Sequence, residues 1–294
     1  MINDKEFCGS EKLKQMFDDL NQTEYFPHAI IICGEDGQGR NLFARLIARD
    51  YLDDTNSLTL RHVHPDCIVI KGSGSSNTIP VDVIRSVSYE VNKASIMTDM
   101  RRVVIIEDGY NLNVSSSAAL LKTLEQPPKG VVFLITVSSV DNLLDTIKSR
   151  CITVTIVPPT ADECIDYIKK LRPEETATLI EKYSILFRGR IGYILRALDN
   201  DEFRQSLDIA EQFSDYYYMM DEFMMCSVLD RVENRNHMGE ILELLVFCLV
   251  NRNHGDITDW AVKKVDEMKN MLSKNVSYKL FSTVLVKQLQ ERNV

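Results

Sequence analysis

The sequence lacks long apolar runs, paired cysteines and an excess of basic charge. Its longest apolar stretch, 241–250, contains Glu243 and is far shorter than the ~20 residues that span a bilayer. The first residues mix charged and apolar side chains, so we expect neither a secretion signal nor a membrane partner. Seven cysteines occur without any Cys-x-x-Cys pair, which predicts reduced thiols in a cytoplasmic protein and no zinc or other metal site.

The charge balance excludes binding of nucleic acid by bulk attraction. The 294 residues include 43 acidic and 34 basic side chains, which gives a formal net charge of -9. Glycine (12) and proline (8) are too few for a collagen-like or largely disordered chain. The composition is that of a folded globular protein, in which any DNA contact has to be local or shared with another subunit.

Short apolar runs alternate with helical patterns in the first half of the chain. This alternation predicts an α/β fold with a mostly parallel sheet covered by helices. The predicted strands are 28–33, 67–71, 103–107, 131–137 and 151–157, and the predicted helices between them are 40–52, 81–93 and 116–124.

The pattern changes at Pro158-Pro159, because two prolines continue neither a strand ladder nor a helix. Thr160-Ala-Asp-Glu163 then has the sequence of a capping box that starts a helix. Everything after it is helical in period, including a long stretch near 201–230, so the chain is α/β first and all-α afterwards. The predicted domains are 1–157, 158–200 and 201–294.

A glycine-rich loop follows the first predicted strand. Gly34, Gly37 and Gly39 lie in the setting of a G-x-x-x-x-G-K-[ST] loop, whose backbone N–H groups cradle phosphates. Arg40 and Asn41 replace the lysine and the hydroxyl residue of that pattern, and two carboxylates lie within the loop. Two interpretations stay open: a glycine turn without a ligand, or a variant nucleotide site.

A second acidic pair, Glu107-Asp108, ends the apolar run 103–106. A nucleotide hydrolase has its magnesium-binding and water-polarising carboxylates at this place, although here their order is reversed. A solvated turn is the alternative interpretation. We therefore expect no bound cofactor, and ATP with magnesium only if the variant nucleotide site is real.

The most specific signal is carried by 119–128 (Ala-Leu-Leu-Lys-Thr-Leu-Glu-Gln-Pro-Pro), 131–136 and 143–151 (Leu-Leu-Asp-Thr-Ile-Lys-Ser-Arg-Cys). With His64-Pro65-Asp66 and the helix start at 81–85, these segments resemble the AAA+ clamp-loader subunits of bacterial DNA polymerase III. The resemblance implies an AAA+ phosphate-loop-type parallel sheet, a helical lid and a C-terminal helical collar that oligomerises.

The resemblance also implies a role. Motor subunits of this family have an intact phosphate loop, a four-cysteine zinc module and a phosphate-sensing arginine in the lid. Here the loop is altered, the zinc cysteines are missing and Gly192 stands at the arginine position. The chain is thus similar to non-motor members, which are not catalytic alone but belong to the polymerase holoenzyme. The implied partners are the tau/gamma motor subunits, the delta subunit, the sliding clamp and primed DNA.

Ser149-Arg150-Cys151 carries the implied function. By itself, Arg150 near a helix C-terminus is a favourable charge–dipole contact of about 0.3–1 kcal/mol. Within the family, the resemblance implies an arginine finger that stabilises charge on the phosphoryl group of ATP bound to a neighbouring subunit. Ser149 and Cys151 then serve as positioning residues. A generic interaction scaffold is a further alternative, which leaves this segment without a function.

Overall fold

The computed structural model describes residues 2, 6–23, 25–52, 64–74, 77–93, 101–272 and 278–291. Contacts divide the chain into two compact units. One is Met1–Lys170 with Arg188–Gly192, and the other is Leu171–Phe187 with Tyr193–Val294. The three domains predicted from the sequence stay a prediction.

The first unit contains a parallel sheet whose five described strands follow the order β2-β3-β4-β1-β5. These strands are β1 (Ala29–Cys33), β2 (Cys67–Ile70), β3 (Arg102–Ile106), β4 (Val131–Val137) and β5 (Ile152–Thr155). All five strand predictions are confirmed to within two residues at each end. The predicted fold class, α/β followed by all-α, is confirmed as well.

The central strands are buried on both faces because their sequences are apolar except for Arg102 and Thr136. Alternate residues of β1 enter two separate cores: Ile30 packs with Phe43 on one face, and Ile31 packs with Leu120 on the other. The strand β5 lies at one edge of the sheet, and most of its residues are exposed.

The described part of the first unit contains, before Leu171, the helices α1 (Glu11–Asn21), α2 (Arg40–Tyr51), α3 (Val81–Glu90), α4 (Val114–Glu125), α5 (Asp145–Lys148) and α6 (Ala161–Leu171). The sequence pattern missed α1 and gave no bounds for α5, although it put Arg150 near the C-terminus of a helix. The predicted capping box is confirmed, since the backbone N–H of Thr160 donates to Glu163 Oε2 (2.7 Å) and that of Glu163 donates to Thr160 Oγ1 (3.3 Å).

The second unit is helical in its described residues. Its helices are α7 (Ala177–Phe187), α8 (Ile191–Asp199), α9 (Asp201–Met219), α10 (Glu222–Leu229), α11 (Arg235–Arg252), α12 (Asp256–Leu272) and α13 (Tyr278–Gln290), of which α8 begins in the segment counted with the first unit.

Aromatic side chains form part of the core of the second unit. Phe187 stacks on Tyr193 with ring centroids 5.5 Å apart and meets Phe247 edge-on at 5.4 Å. The predicted stretch 201–230 is two helices, because Met220 has a left-handed backbone (φ 58°) and Asp221 caps the next helix. None of the described helices is long and apolar enough to cross a bilayer.

Candidate functional site

The sheet topology decides which predicted residues meet. Since β1 and β3 run parallel and both end at the carboxyl edge of the sheet, the glycine loop after Cys33 and the pair Glu107-Asp108 lie at that edge. Arg150 precedes β5, which is parallel to β1, so it lies at the opposite, amino-terminal edge. The structure thus brings the first two groups together and separates Arg150 from both.

Arg40 fills the glycine loop with its own side chain. Its Nη1 donates to the carbonyl oxygen of Gly34 (3.0 Å) and lies 2.6 Å from Asp36 Oδ1, and its Nη2 lies 2.6 Å from Asp108 Oδ1. Gly37 and Gly39 have φ values of 83° and 84°, which favour glycine, and they turn the chain so that α2 begins directly at Arg40. The guanidinium therefore faces into the loop.

The charge of Arg40 is neutralised locally. The side chain is buried, with only 7% of the residue exposed. Burial alone would lower the pKa of the guanidinium, but the hydrogen bonds and charges of Asp108 and Asp36 outweigh burial and raise this pKa above its ordinary value. Arg40 stays protonated and is bound to two carboxylates, an arrangement in which the cation already has its counter-ions.

Asn41 is engaged in a second contact across the sheet. Its Oδ1 accepts a hydrogen bond from Thr136 Oγ1 (2.6 Å), and the same hydroxyl accepts from the backbone N–H of Asp108 (3.0 Å). Thr136 is buried near the carboxyl end of β4. Sequence reasoning missed Thr136, although a hydroxyl residue within the apolar run 131–137 was a signal for a polar contact there.

Glu107 is buried and paired with two cations. Its Oε1 lies 2.5 Å from Arg45 Nη2, and its Oε2 lies 2.8 Å from Lys71 Nζ. Only 5% of Glu107 is exposed, so the interpretation as a solvated turn is wrong for this residue. The pairing with Arg45 and Lys71 was not predicted, because both partners are distant in sequence.

The segment Arg188–Gly192 lies against the glycine loop. The backbone N–H of Gly192 donates to the carbonyl oxygen of Gly37 (2.8 Å), and Arg190 pairs with Glu35. A Cβ at Gly192 would come within 3.1 Å of Gly37 O, so the close approach depends on glycine here. The position that the resemblance assigns to a phosphate-sensing arginine is instead a backbone contact.

Arg150 lies in the turn between α5 and β5. Its Nη1 donates to the carbonyl oxygen of Thr146 (2.9 Å) and to Ser149 Oγ (3.2 Å), and its Nη2 donates to Glu125 Oε1 (2.7 Å). The contact with Thr146, at the free end of α5, confirms the predicted interaction with a helix C-terminus. About a third of the side chain (34%) is exposed, so Arg150 is at the surface of this unit.

The neighbours of Arg150 differ in character. Ser149 is exposed and its hydroxyl donates to Thr146 O (3.1 Å), which ties the turn to α5. Cys151 packs against the apolar core beneath the sheet, and burial raises the pKa of its thiol to about 11. A thiol with this pKa is protonated at neutral pH and is a poor nucleophile. Within the described ranges, no three His, Cys, Asp or Glu side chains converge as metal ligands do.

The first half of the chain matches a known family. The family model described as "DNA polymerase III, delta subunit" covers residues 9–160, more than half of the sequence. The chain belongs to the DNA polymerase III delta-subunit family. Among its relatives, the delta′ (delta-prime) subunit of Pseudomonas aeruginosa is 33% identical over 127 residues, which are 43% of this chain and 38% of that protein.

Gamma/tau subunits of DNA polymerase III are similar too. The gamma/tau subunit of Mycoplasma genitalium is 24% identical over 232 residues, 73% of this chain and 36% of that protein. The matches thus span well under two thirds of the length of these two curated relatives. A gamma subunit-related protein of Thermotoga maritima has the same fold, with a TM-score of 0.60, 18% identity and coverage of 96% and 99% of the two chains. The AAA+ clamp-loader resemblance is confirmed for family and fold.

Proposed function

We propose that this chain is a non-motor, delta-prime-type subunit of a DNA polymerase III clamp loader that supplies Arg150 to the ATP site of a neighbouring gamma/tau subunit. The observation that carries the proposal is the position of Arg150 on the sheet. Ile152 pairs with Ile30, and the chain's own loop begins four residues further along β1, about 13 Å away. Arg150 therefore cannot serve its own loop, and its exposed guanidinium is available to another chain.

The residues of the chain's own loop do not fit a magnesium nucleotide. Arg40 is already bound to Asp36 and Asp108, and Asn41 Oδ1 is already an acceptor for a threonine hydroxyl. A triphosphate entering the loop would meet the carboxylates of Glu35 and Asp36, which repel it. These contacts support a subunit that has lost nucleotide turnover of its own, and we derive no chemical step at this loop.

The chemistry proposed for Arg150 is electrostatic. A guanidinium is planar, permanently charged and able to donate several hydrogen bonds, which suits it to the charge that develops on a transferred phosphoryl group. Preorganised donors of this kind supply a large part of the rate in phosphoryl transfer. The gamma/tau subunits are the proposed recipients because they are relatives in the same polymerase; the delta subunit, the sliding clamp and primed DNA complete the proposed assembly.

Reconstitution tests the proposal. An arginine finger is worth about 10³–10⁵ at its own site. If the ATP sites of the complete loader fire together, we expect Arg150→Ala to lower its DNA-stimulated ATP turnover at least about tenfold. Assembly, measured by gel filtration, should be unchanged. Arg85→Ala, which removes an exposed arginine on α3, is the matched control and should leave turnover intact. Unchanged turnover with Arg150→Ala would rule out the finger.

Nucleotide binding by the isolated chain is a separate test of the loop. Titration with labelled ATP and magnesium should give no saturable binding. The double variant Arg40→Lys, Asn41→Thr restores the two missing residue types of a phosphate loop and serves as the comparison. Tight binding by the unchanged chain would instead favour a motor subunit with a variant loop.

A further inference from the structure

One carboxylate of the chain's own holds the Arg150 guanidinium. Glu125 is the last residue of α4, and its Oε1 accepts a hydrogen bond from Arg150 Nη2 at 2.7 Å. The remaining acceptors, Thr146 O in α5 and Ser149 Oγ in the turn after it, are uncharged. Glu125 thus contributes the negative charge in this arrangement, from a helix 25 residues away in sequence.

The three acceptors leave part of the guanidinium unused. An arginine has five N–H donors. Two on Nη1 and one on Nη2 are engaged by Thr146, Ser149 and Glu125, whereas within the described part of the chain Nε and the second donor of Nη2 have no acceptor. These three hydrogen bonds keep the guanidinium of Arg150 from rotating. Its two remaining N–H donors are able to bind a further anion.

The exposure of the pair indicates that Glu125 is not needed for folding. Its side chain is 53% exposed, and ion pairs at such positions contribute little to stability. Helix α4 ends at this point in any case, because Pro127-Pro128 follow one residue later. The contact with Glu125 therefore restricts the direction of the Arg150 side chain. Its removal should change the stability of the fold little.

We propose that Glu125 is a positioning residue for Arg150. It holds the guanidinium between the ends of α4 and α5 and leaves two donors unengaged within the described residues, so that the neighbour's phosphoryl group meets an arginine that is already oriented. This proposal rests on the proposed function, since it needs Arg150 to act on another subunit. Preorganisation lowers the barrier of the chemical step and leaves nucleotide affinity unchanged.

The test is a double-mutant cycle in the complete reconstituted loader. Glu125→Gln keeps the shape and an acceptor but removes the charge, and we expect kcat for ATP to fall about two- to fivefold with KM unchanged, the range of an exposed charged contact. In an Arg150→Ala background the same change should have no further effect. Glu90→Gln, an exposed carboxylate at the end of α3, is the control and should leave kcat unaltered.

The possible outcomes separate this inference from the function on which it rests. If Arg150→Ala has no effect, the finger itself is disproved. If Arg150→Ala lowers turnover but Glu125→Gln does not, or raises it, then the finger stands and the positioning role fails. A loss with Glu125→Gln that persists in the Arg150→Ala background also overturns it, because Glu125 would then act through another group. Thermal melting of each variant checks that the subunit is folded.

Discussion

Arg40 Nη2 lies 2.6 Å from Asp108 Oδ1, and this ion pair joins the start of α2 to the end of β3. In a nucleotide site the residues at these two places face the ligand. Here they face each other, and Asp36 completes the neutralisation of the cation. The two ion pairs therefore tie the loop to the start of α2 and to the end of β3.

Removal of Arg40 should destabilise the protein. Arg40→Ala leaves Asp108 without its cation and Gly34 O without its donor, and hydrogen bonds to charged groups are worth about 1.5–3 kcal/mol. We expect a loss of this size in the free energy of unfolding, measured with urea on the isolated chain. Asp36→Asn removes a more exposed partner of the same arginine and should cost less than about 1 kcal/mol. If Arg40→Ala and Asp36→Asn lowered the free energy of unfolding equally, the contacts of Arg40 with Asp108 and Gly34 would not stabilise the loop as described.

The contact of Gly192 with the loop gives a prediction about packing. Gly192→Ala places a methyl group 3.1 Å from the carbonyl oxygen of Gly37, and backbone atoms yield little, so we expect a loss of about 1–3 kcal/mol in unfolding free energy. Gly239→Ala is the control, because its Cβ would meet only Leu272 at 3.9 Å in the interior of α11. That change should stabilise the protein by about 0.5–1 kcal/mol. Stabilisation by both changes would show that segment 188–192 does not pack on the loop.

The capping box at the start of α6 predicts a specific acid sensitivity. The backbone N–H and hydroxyl of Thr160 lower the pKa of Glu163 below its ordinary value of 4.5. A lowered folded-state pKa means that the contribution of this carboxylate to stability is complete above about pH 4.5 and is lost as the pH falls through the folded-state value. In urea titrations from pH 7 to 3, Glu163→Gln should lose less stability with acid than the unchanged protein.

The control for this pH effect is Glu181→Gln, which removes an exposed carboxylate from α7. Its acid dependence should follow that of the unchanged protein. If Glu163→Gln and the unchanged protein lose stability in parallel down to pH 3, the carboxylate does not cap the helix in solution.

Cys151 is expected to be chemically inert. Because burial raises its pKa to about 11, its thiolate is scarce at neutral pH and becomes abundant only as the pH approaches that value. Cys151→Ala should leave ATP turnover of the reconstituted loader within about twofold, because the side chain packs and does not react. In the unchanged protein, alkylation of Cys151 followed by mass spectrometry should be slow at pH 7. Rapid alkylation of Cys151 at pH 7 would contradict the burial of its thiol.

The sheet could be predicted from the sequence, whereas the contacts of its loops could not. A run such as Val131–Val137 is apolar except for Thr136 and follows Pro127-Pro128 and Gly130, so its strand and its burial follow from local pattern alone. The pairing of Arg40 with Asp108 joins residues 68 apart, and nothing near either residue marks the other as its partner. The same holds for Arg150 and Glu125, where the motif marks the arginine but only the packing of α4 beside α5 reveals its carboxylate.

Helix ends show a similar limit. The start of α6 was predictable because Thr160 and Glu163 act within one turn of helix. The break at Met220 was missed because the apolar periodicity continues across it, and it depends on a left-handed backbone together with the cap at Asp221. Contacts between side chains a few residues apart can be predicted from the sequence. Contacts that depend on tertiary packing cannot.

The placement of the glycine loop and Arg150 at opposite margins of one sheet gives the subunit a direction. Copies of such a fold that pack with one edge of the sheet against the opposite edge of the next form a directional row. In such a row each subunit presents its arginine to the loop of one neighbour and accepts the arginine of the other neighbour. Under the proposed function, this chain lends Arg150 to a neighbour and binds no ATP itself, which would place it at one end of that row. Under that proposal its loop, which Arg40 fills, would close the series of ATP sites in the row.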